Sequence, residues 1–409
     1  MFDFKILTIL LIHIIFSLFI VRVVSYKKSF ILSLLNFTFL SLLLYRLNMI
    51  ASFSLYHLEY GALAQQYILL ELVLPQVFFF GVIVSLFFLG ICFIQNEKIS
   101  FINIIGPLIA LFTLKWTNPI QIIGLSYTMF RISLLAVEVR SKKINCPNFT
   151  SFLAYISYLP LLFIGPISAY SVFDKSFHNI EKLKNVIGGT LLRFLLGVLK
   201  ITVFANLARQ LSFGVFWNNA GPHSVLDFFV SCCAYYLFLY ANFSGACDLV
   251  ISTSRLIGIR VQENFNSPFI SRNINEFWSR WHITLSDAIK GIIYVPLSKF
   301  LVDKIGARHV NLSIAVSTLS VFLILGLWHG MQINFVLFGL MHGIAAIIVQ
   351  LYSIWLKSKK IKLKHYKNNT WFKTASVVIT FVYVSISMSL FENNFGELMI
   401  HMGKIKSII

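Results

Sequence analysis

Two stretches of this 409-residue chain carry side chains that could make and break bonds. The first runs from Glu263 to Lys290, ENFNSPFISRNINEFWSRWHITLSDAIK, too polar to span a membrane and too aromatic for a plain solvated loop. Asn264, Asn266, Arg272, Asn273, Asn275, Glu276, Arg280 and His282 supply donors and acceptors there, while Trp278 and Trp281 suit an interface. The second is Gly326-Leu327-Trp328-His329-Gly330, at the end of an apolar run. An imidazole with an ordinary pKa of about 6.5 suits general-base work near neutrality. Gly326 and Gly330 are four apart, so on a helix they form a small-residue face that lets another backbone, or a substrate chain, come close. The plainer alternatives are an interfacial helix anchored by tryptophans for the first stretch and a packed, hydrogen-bonded histidine for the second.

These residues need a scaffold, and composition says what kind. At 58% hydrophobic and 12% charged residues, with a mean hydropathy of +0.81, the chain is far from a soluble globular domain. Its five cysteines offer no regular disulfide framework and no Cys-x-x-Cys pair for zinc or redox chemistry, so the thiols read as inert packing, Cys92 and Cys146 among them. The histidines lack metal-site spacing, and no metal is expected. The net charge of +19 sits between apolar runs, which favours juxtamembrane charge over a nucleic-acid surface.

A span of the hydrocarbon core takes about 20 mostly apolar residues in a helix. Runs that qualify or come close are 5–24, 30–51, 67–94, 99–114, 120–137, 149–172, 186–213, 225–243, 312–327, 335–356 and 371–391. The expectation is an all-α polytopic membrane protein with roughly ten spans, plus re-entrant or interfacial helices, around a central polar tunnel. Arg193, Lys200 and Arg209 interrupt one run and must face protein or water there. Arg22, Lys27 and Lys28 follow the first run, which puts the amino terminus outside; Lys357, Lys359, Lys360, Lys362, Lys364 and Lys367 mark a cytoplasmic loop facing anionic lipid. The last span then returns the carboxyl terminus outside, against Lys404 and Lys406.

The combination Asn264-Phe265-Asn266, Pro268-Phe269-Ile270-Ser271, Glu276-Phe277-Trp278, Arg280-Trp281-His282, Leu285-Ser286 and Tyr294-Val295-Pro296-Leu297 resembles the signature of the membrane-bound O-acyltransferase family, nearest its bacterial branch. Further matches keep chain order: Gly124-Leu125-Ser126-Tyr127 with Phe130, Pro160 with Gly165-Pro166-Ile167 and Tyr170, Phe243-Ser244-Gly245 with Asp248, the Gly326–Gly330 stretch, then Gly339 and His342-Gly343. The resemblance covers residues 120–345. It divides the chain into amino-terminal helices (1–118), a catalytic core (119–345) and a basic loop with a last helix (346–409), all within one membrane domain. One departure stands out: relatives of the alginate O-acetylating type carry an Arg-Asp pair where this chain has Lys290-Gly291, with Ala288 at the preceding aromatic position.

The resemblance implies transfer of a small acyl group from a cytoplasmic thioester, either acyl coenzyme A or an acyl-carrier phosphopantetheine, to a hydroxyl of an extracytoplasmic glycan or polymer. No bound cofactor is implied. It makes His329 the catalytic base and His282 the second catalytic histidine, with Asn266, Arg280, Trp328 and Ser286 as substrate-binding candidates. Chemistry agrees, since a hydroxyl attacks a thioester poorly until a base takes its proton, and the oxyanion then needs donors; whether His282, Asn266 or Arg280 orients donor or oxyanion stays open. If His282 lies on a helix, Arg280 points elsewhere and braces the site. Expected partners are membrane lipids, an acidic carrier protein, the polymer acceptor and a second extracytoplasmic acyltransferase component, with no nucleic acid. The bacterial cytoplasmic membrane is the expected location. D-alanyl transfer to teichoic acid is the alternative within the family, and a polytopic transporter the alternative outside it.

Overall fold

The structure, a computed structural model, describes residues 4–24, 27–56, 74–94, 100–117, 124–162, 164–217, 223–359, 369–393, 396–397 and 399–400. The lysines from 360 to 367, Lys404, Lys406 and the first parts of the expected 67–94 and 120–137 spans lie outside these. The regular elements are helices: α1 (Phe4–Val23), α2 (Lys28–Tyr56), α3 (Leu74–Phe93), α4 (Ser100–Thr117), α5 (Leu125–Arg140), α6 (Phe149–Ile156), α7 (Tyr170–His178), α8 (Leu183–Gln210), α9 (Val225–Ile257), α10 (Ile274–Trp278), α11 (Ile283–Ile289), α12 (Val295–Ile305), α13 (Val310–His329), α14 (Ile333–Ser358) and α15 (Thr370–Met388). Seven helices among the described residues are long and apolar enough to cross a membrane, in α2, α3, α8, α9, α13, α14 and α15; α1 and α4 hold shorter apolar stretches. Polar side chains within them bond to their own helix, as Ser33 Oγ does to Ser29 O and Ser85 Oγ to Gly81 O, both at 2.7 Å. Such back-bonding hides a hydroxyl from lipid. The chain is therefore a multi-pass membrane protein.

By compactness the chain forms two units, residues 1–194 with 249–262, and residues 195–248 with 263–409. In the first, α1 packs on α2, α2 on α6, and α4 on α5. Arg22, at the end of α1, donates to Leu256 O (2.8 Å) at the end of α9 and to Glu181 O (2.7 Å) just ahead of α8. The buried Arg131 donates to Tyr155 O and Ile156 O at the end of α6 and lies over the Tyr155 ring.

Two expectations fail in this unit. Residues 149–172 do not make one span: α6 stops at Ile156, a single 3-10 turn covers Leu159–Leu161, and extended backbone leads into α7. Pro160 and Pro166 withhold amide hydrogens, and Gly165 sits at φ +125°, a conformation that breaks a helix. Cys92 and Cys146, read as isolated packing thiols, form a disulfide instead. The packing of α3, α4 and α5 brings together residues 54 apart in sequence, which a spacing rule cannot register.

In the second unit α13 and α14 make the tightest helix pair. A Cβ on Gly326 would lie 2.2 Å from Phe335 O, and one on Gly339 2.6 Å from Phe322 O. The small-residue face is thus filled by another backbone of the same chain, not by a substrate, and a Cβ on Gly330 would meet the Phe335 ring at 2.7 Å. Two of the charges that interrupt α8, Lys200 and Arg209, have partners in this unit. Lys200 opens a π turn (Lys200–Phe204) and its Nζ meets Asp248 Oδ2 of α9 at 2.7 Å, while Arg209 lies over the Phe238 ring. A second π turn, Lys290–Tyr294, joins α11 to α12. Glu392, after α15, accepts from Ser212 Oγ (2.7 Å), Phe213 N (3.2 Å) and Gly214 N (2.8 Å), tying the end of α15 to the end of α8.

Adding side chains at the α13–α14 contact should push two backbones apart. Gly339→Val is expected to cost at least 1–3 kcal/mol, the usual penalty for overpacking, read as a lower thermal midpoint in detergent. Gly188→Ala, where a Cβ meets nothing within 4 Å, should leave the midpoint unchanged or raise it.

Candidate active site

The polar segment between α9 and α11 is held by its own hydrogen bonds. Residues 264–266 run antiparallel to 280–283: Asn266 N donates to Arg280 O (2.9 Å), Ile283 N donates to Asn264 O (3.0 Å), and Phe265 pairs with Trp281. Between the two arms Asn273 caps α10, its Oδ1 accepting from Glu276 N at 2.9 Å. Glu276 in turn accepts from Arg272 N (3.0 Å) and from Arg280 Nη2 (2.9 Å), and Arg280 Nη1 donates to Asn266 O at 3.1 Å. Satisfying its polar groups internally is what allows such a segment among apolar helices. A core of Tyr236, Tyr240, Phe265, Phe269, Phe277 and Trp281 fixes it on its apolar side.

His282 is not on a helix, contrary to the expectation that placed Arg280 two helical positions away. It caps α11 in the left-handed region at φ 45°, and Arg280 lies on the preceding turn, committed to Glu276 and Asn266. The His282 ring is buried, its edge against Phe243 at 4.8 Å between centroids, and its Nδ1 lies 3.2 Å from Asn264 Oδ1. Burial, with the neighbouring His329 adding to it, pushes this imidazole down to about 3.

His329 is the last residue of α13 and is half-buried, with Phe391 at 4.6 Å and Trp328 at 4.5 Å between ring centroids. The π turn and α12 pack back along α13 after the 306–309 turn, and Ser286 and Ile289 of α11 line one cavity with Thr318 and Leu325 of α13. That packing directs the start of α11 toward the end of α13, and the charge of His329 bears on His282.

A third histidine completes the group. His342 of α14 is fully buried and accepts from Trp278 Nε1–H at 3.2 Å through Nδ1. An indole nitrogen only donates, so the hydrogen of this imidazole is on Nε2 and goes to Ser387 Oγ at 2.8 Å, whose own hydrogen goes to Val384 O. The Phe338 ring packs against both His342 (4.4 Å) and His329 (6.3 Å). Sequence reasoning placed His342 only in the stretch after the histidine motif; its membership of an apolar helix, beside Gly339 and Gly343, was the available signal.

The other candidates divide. Ser286 lines a cavity of about 480 Å³ together with Asp287, Lys290, Trp278, Phe322 and Gln350, and Trp278 and Phe322 also cover His342. Trp328 packs beside His329. Asn266 is exposed, whereas Asn264, two residues earlier, is the asparagine beside His282. Asn264 was part of the motif but not among the site candidates, and Thr284 was not named at all.

With this geometry in view, the likenesses to known proteins are specific. The profile of the membrane-bound O-acyltransferase family matches residues 21–391. The chain belongs to that family and is accordingly an O-acyltransferase. It is 27% identical to the teichoic acid D-alanyltransferase of Streptococcus thermophilus, over 68% of this chain and 70% of that one. It is 32% identical to the peptidoglycan O-acetyltransferase of Helicobacter pylori over 60% of this chain, and 29% identical to the probable alginate O-acetylase of Pseudomonas syringae over 76% of it. The matches span only 44% and 57% of those two relatives, about half their length.

Two outcomes test this arrangement. His342→Ala removes a buried ring and strands Trp278 Nε1 and Ser387 Oγ, and should cost about 2–5 kcal/mol, against about 1 kcal/mol for Ser387→Ala, both measured by thermal unfolding. The second concerns pH. Native His282 resists protonation down to about 3, while its unfolded ordinary value is 6.5. Between these limits the unfolded chain binds the extra proton, so stability falls as pH falls below 6.5, by up to about 1.4 kcal/mol per unit. His282→Gln should flatten that part of the stability–pH curve.

Proposed function

We propose that this protein transfers a small acyl group, acetyl or similar, from a cytoplasmic thioester to a hydroxyl of an extracytoplasmic glycan or polymer, with His329 as the general base. What supports the proposal is the place of His329 at the end of α13, against the Phe338 ring that also packs on His342, with the buried His282 within reach of its charge. His329 takes the proton of the attacking hydroxyl as its oxygen bonds to the thioester carbonyl carbon. The tetrahedral intermediate then expels the thiolate, which leaves with the proton returned from the His329 imidazolium. The cavity lined by Ser286 and Trp278 has room for part of a substrate, and its mainly apolar wall carries Ser286, Asp287, Lys290 and Gln350 as polar groups.

The relatives' names support a polymer acceptor, since they speak of teichoic acid, peptidoglycan and alginate. The teichoic acid D-alanyltransferase of Streptococcus thermophilus, matched over the larger share of its length, favours a second reading in which the group is D-alanyl. A small acidic carrier protein would deliver it, drawn to the basic loops around Lys27, Lys28, Lys142 and Lys143. In both readings the protein sits in the bacterial cytoplasmic membrane and works with membrane lipids and an extracytoplasmic partner acyltransferase.

Membranes containing the full chain, supplied with acetyl coenzyme A or a D-alanyl-loaded carrier and a cell-wall polymer, should yield acylated polymer. His329→Ala should lower that rate about 10²–10⁴-fold without changing the thermal midpoint by more than a few degrees. Normal transfer by a folded His329→Ala protein would remove the base assignment, and solute flux in vesicles without any acylated product would favour a transporter.

A further inference from the structure

We propose that Asn264 is a positioning residue that fixes the tautomer of His282, so that His282 enters the reaction as a hydrogen-bond acceptor through Nε2. The inference starts from the donors that converge on one oxygen. Asn264 Oδ1 accepts from Thr284 N at 3.2 Å and from Thr284 Oγ1 at 2.7 Å, and it lies 3.2 Å from His282 Nδ1. A backbone amide has a hydrogen and no lone pair to offer, so the atom facing Thr284 N must be the side-chain carbonyl oxygen; this settles which way the Asn264 amide is turned. Two acceptors facing each other at that distance would repel. His282 Nδ1 therefore carries the hydrogen, and Nε2 of the neutral ring holds the lone pair.

The surroundings make this arrangement rigid. Asn264 is 1% exposed and His282 6%. The other end of the amide is held as well, with Nδ2 donating to Cys247 Sγ of α9 at 3.5 Å. The backbone bond from Ile283 N to Asn264 O then sets the spacing of the two chain arms. The titratable neighbours are His329 from α13 and Cys247 from α9; farther along α9, Asp248 is bonded to Lys200 of α8. The acceptor on Nδ1 is an amide, not a carboxylate. An amide orients the ring as a carboxylate would, without stabilising its protonated form beside His329.

A chemical assignment follows, which rests on the acyl-transfer reading above. A nitrogen without a hydrogen cannot donate to an oxyanion, so neutral His282 can only accept a hydrogen bond in the site, and the proton itself goes to His329. Stabilising the tetrahedral oxyanion then falls to other groups.

The tautomer can be read without any activity. The full chain, labelled with ¹⁵N-histidine and held in detergent, is observed by two-bond ¹H–¹⁵N correlation, and the His282 signals are identified by their loss in His282→Gln. Should that variant fail to fold, the signals are identified by their displacement in Asn264→Asp. His282 is expected to show a protonated Nδ1 and a lone-pair Nε2. Asn264→Leu should release the ring to the other tautomer or a mixture, and Asn264→Asp should keep Nδ1–H while raising the pH at which His282 titrates by a unit or more. Thr284→Val, which removes one donor from the same oxygen, should lower stability and leave the tautomer alone, separating positioning from packing. With acetyl coenzyme A as the donor probe, Asn264→Leu should lower kcat at least 10-fold with KM little changed, and Asn264→Asp should move the acidic limb of the rate profile upward. A protonated Nε2 in the unaltered protein, or an unchanged tautomer in Asn264→Leu, would overturn the proposal. The expected tautomer in a chain that transfers no acyl group would leave the proposal standing and remove the reaction assigned above.

Discussion

Every polar backbone group that enters an apolar bundle must find its partner within the chain, because lipid offers none. The segment between α9 and α11 meets that requirement with a narrow antiparallel pairing, an asparagine-capped turn of helix, and Glu276 shared between Arg272 N and Arg280. Once those bonds are made, the positions of Trp278, Trp281 and His282 are no longer adjustable. His282 is thus carried on a stretch held by its own bonds, which is where a site needing fixed geometry belongs.

The second unit extends the same logic to whole helices. Trp278 from α10, His342 from α14 and Ser387 from α15 form one chain of hydrogen bonds, and the glycine contacts of α13 with α14 set the depth at which His329 ends its helix. A neutral histidine that both accepts and donates can join three elements in a way that neither a lysine nor a serine could, since a lysine only donates and a serine is too short. His342 is thus a structural bolt, and its placement beside Phe338 makes the packing around His329 depend on it.

Much of this was legible in the residues. Apolar run lengths located α1, α2, α8, α13, α14 and α15 to within a few positions, because a bilayer sets a minimum length that composition alone reveals. The polar run 263–290 and His329 also stood out, because ionisable groups amid apolar helices are rare. Less legible was anything that depended on which residue meets which. The break at Pro160 and Gly165 was hidden inside an apolar run. The Cys92–Cys146 bond depends on helix packing. Asn264 and Asn266 look alike in a motif, yet only one of them sits beside His282. Helical geometry was also assumed around His282, where the backbone is left-handed and Arg280, on the turn before it, bonds to Glu276 and Asn266.

The two π turns have a consequence for how this chain compares with others. A turn closed by i→i+5 bonds holds one residue more than the α-helical turn on either side, so it amounts to a single-residue insertion absorbed without breaking the helix. At Lys200–Phe204 the extra residue coincides with the lysine that meets Asp248, and at Lys290–Tyr294 it coincides with the lysine at the rim of the cavity. A homologue whose helices run straight through these places would align with a one-residue gap in the middle of a helix, and an alignment that forces gaps into loops would shift the residues between the π turn and that loop by about 100° around the axis. Residue correspondences drawn across 200 or 290 therefore depend on where that gap is put, and the departure at Lys290-Gly291 falls on one of those two points.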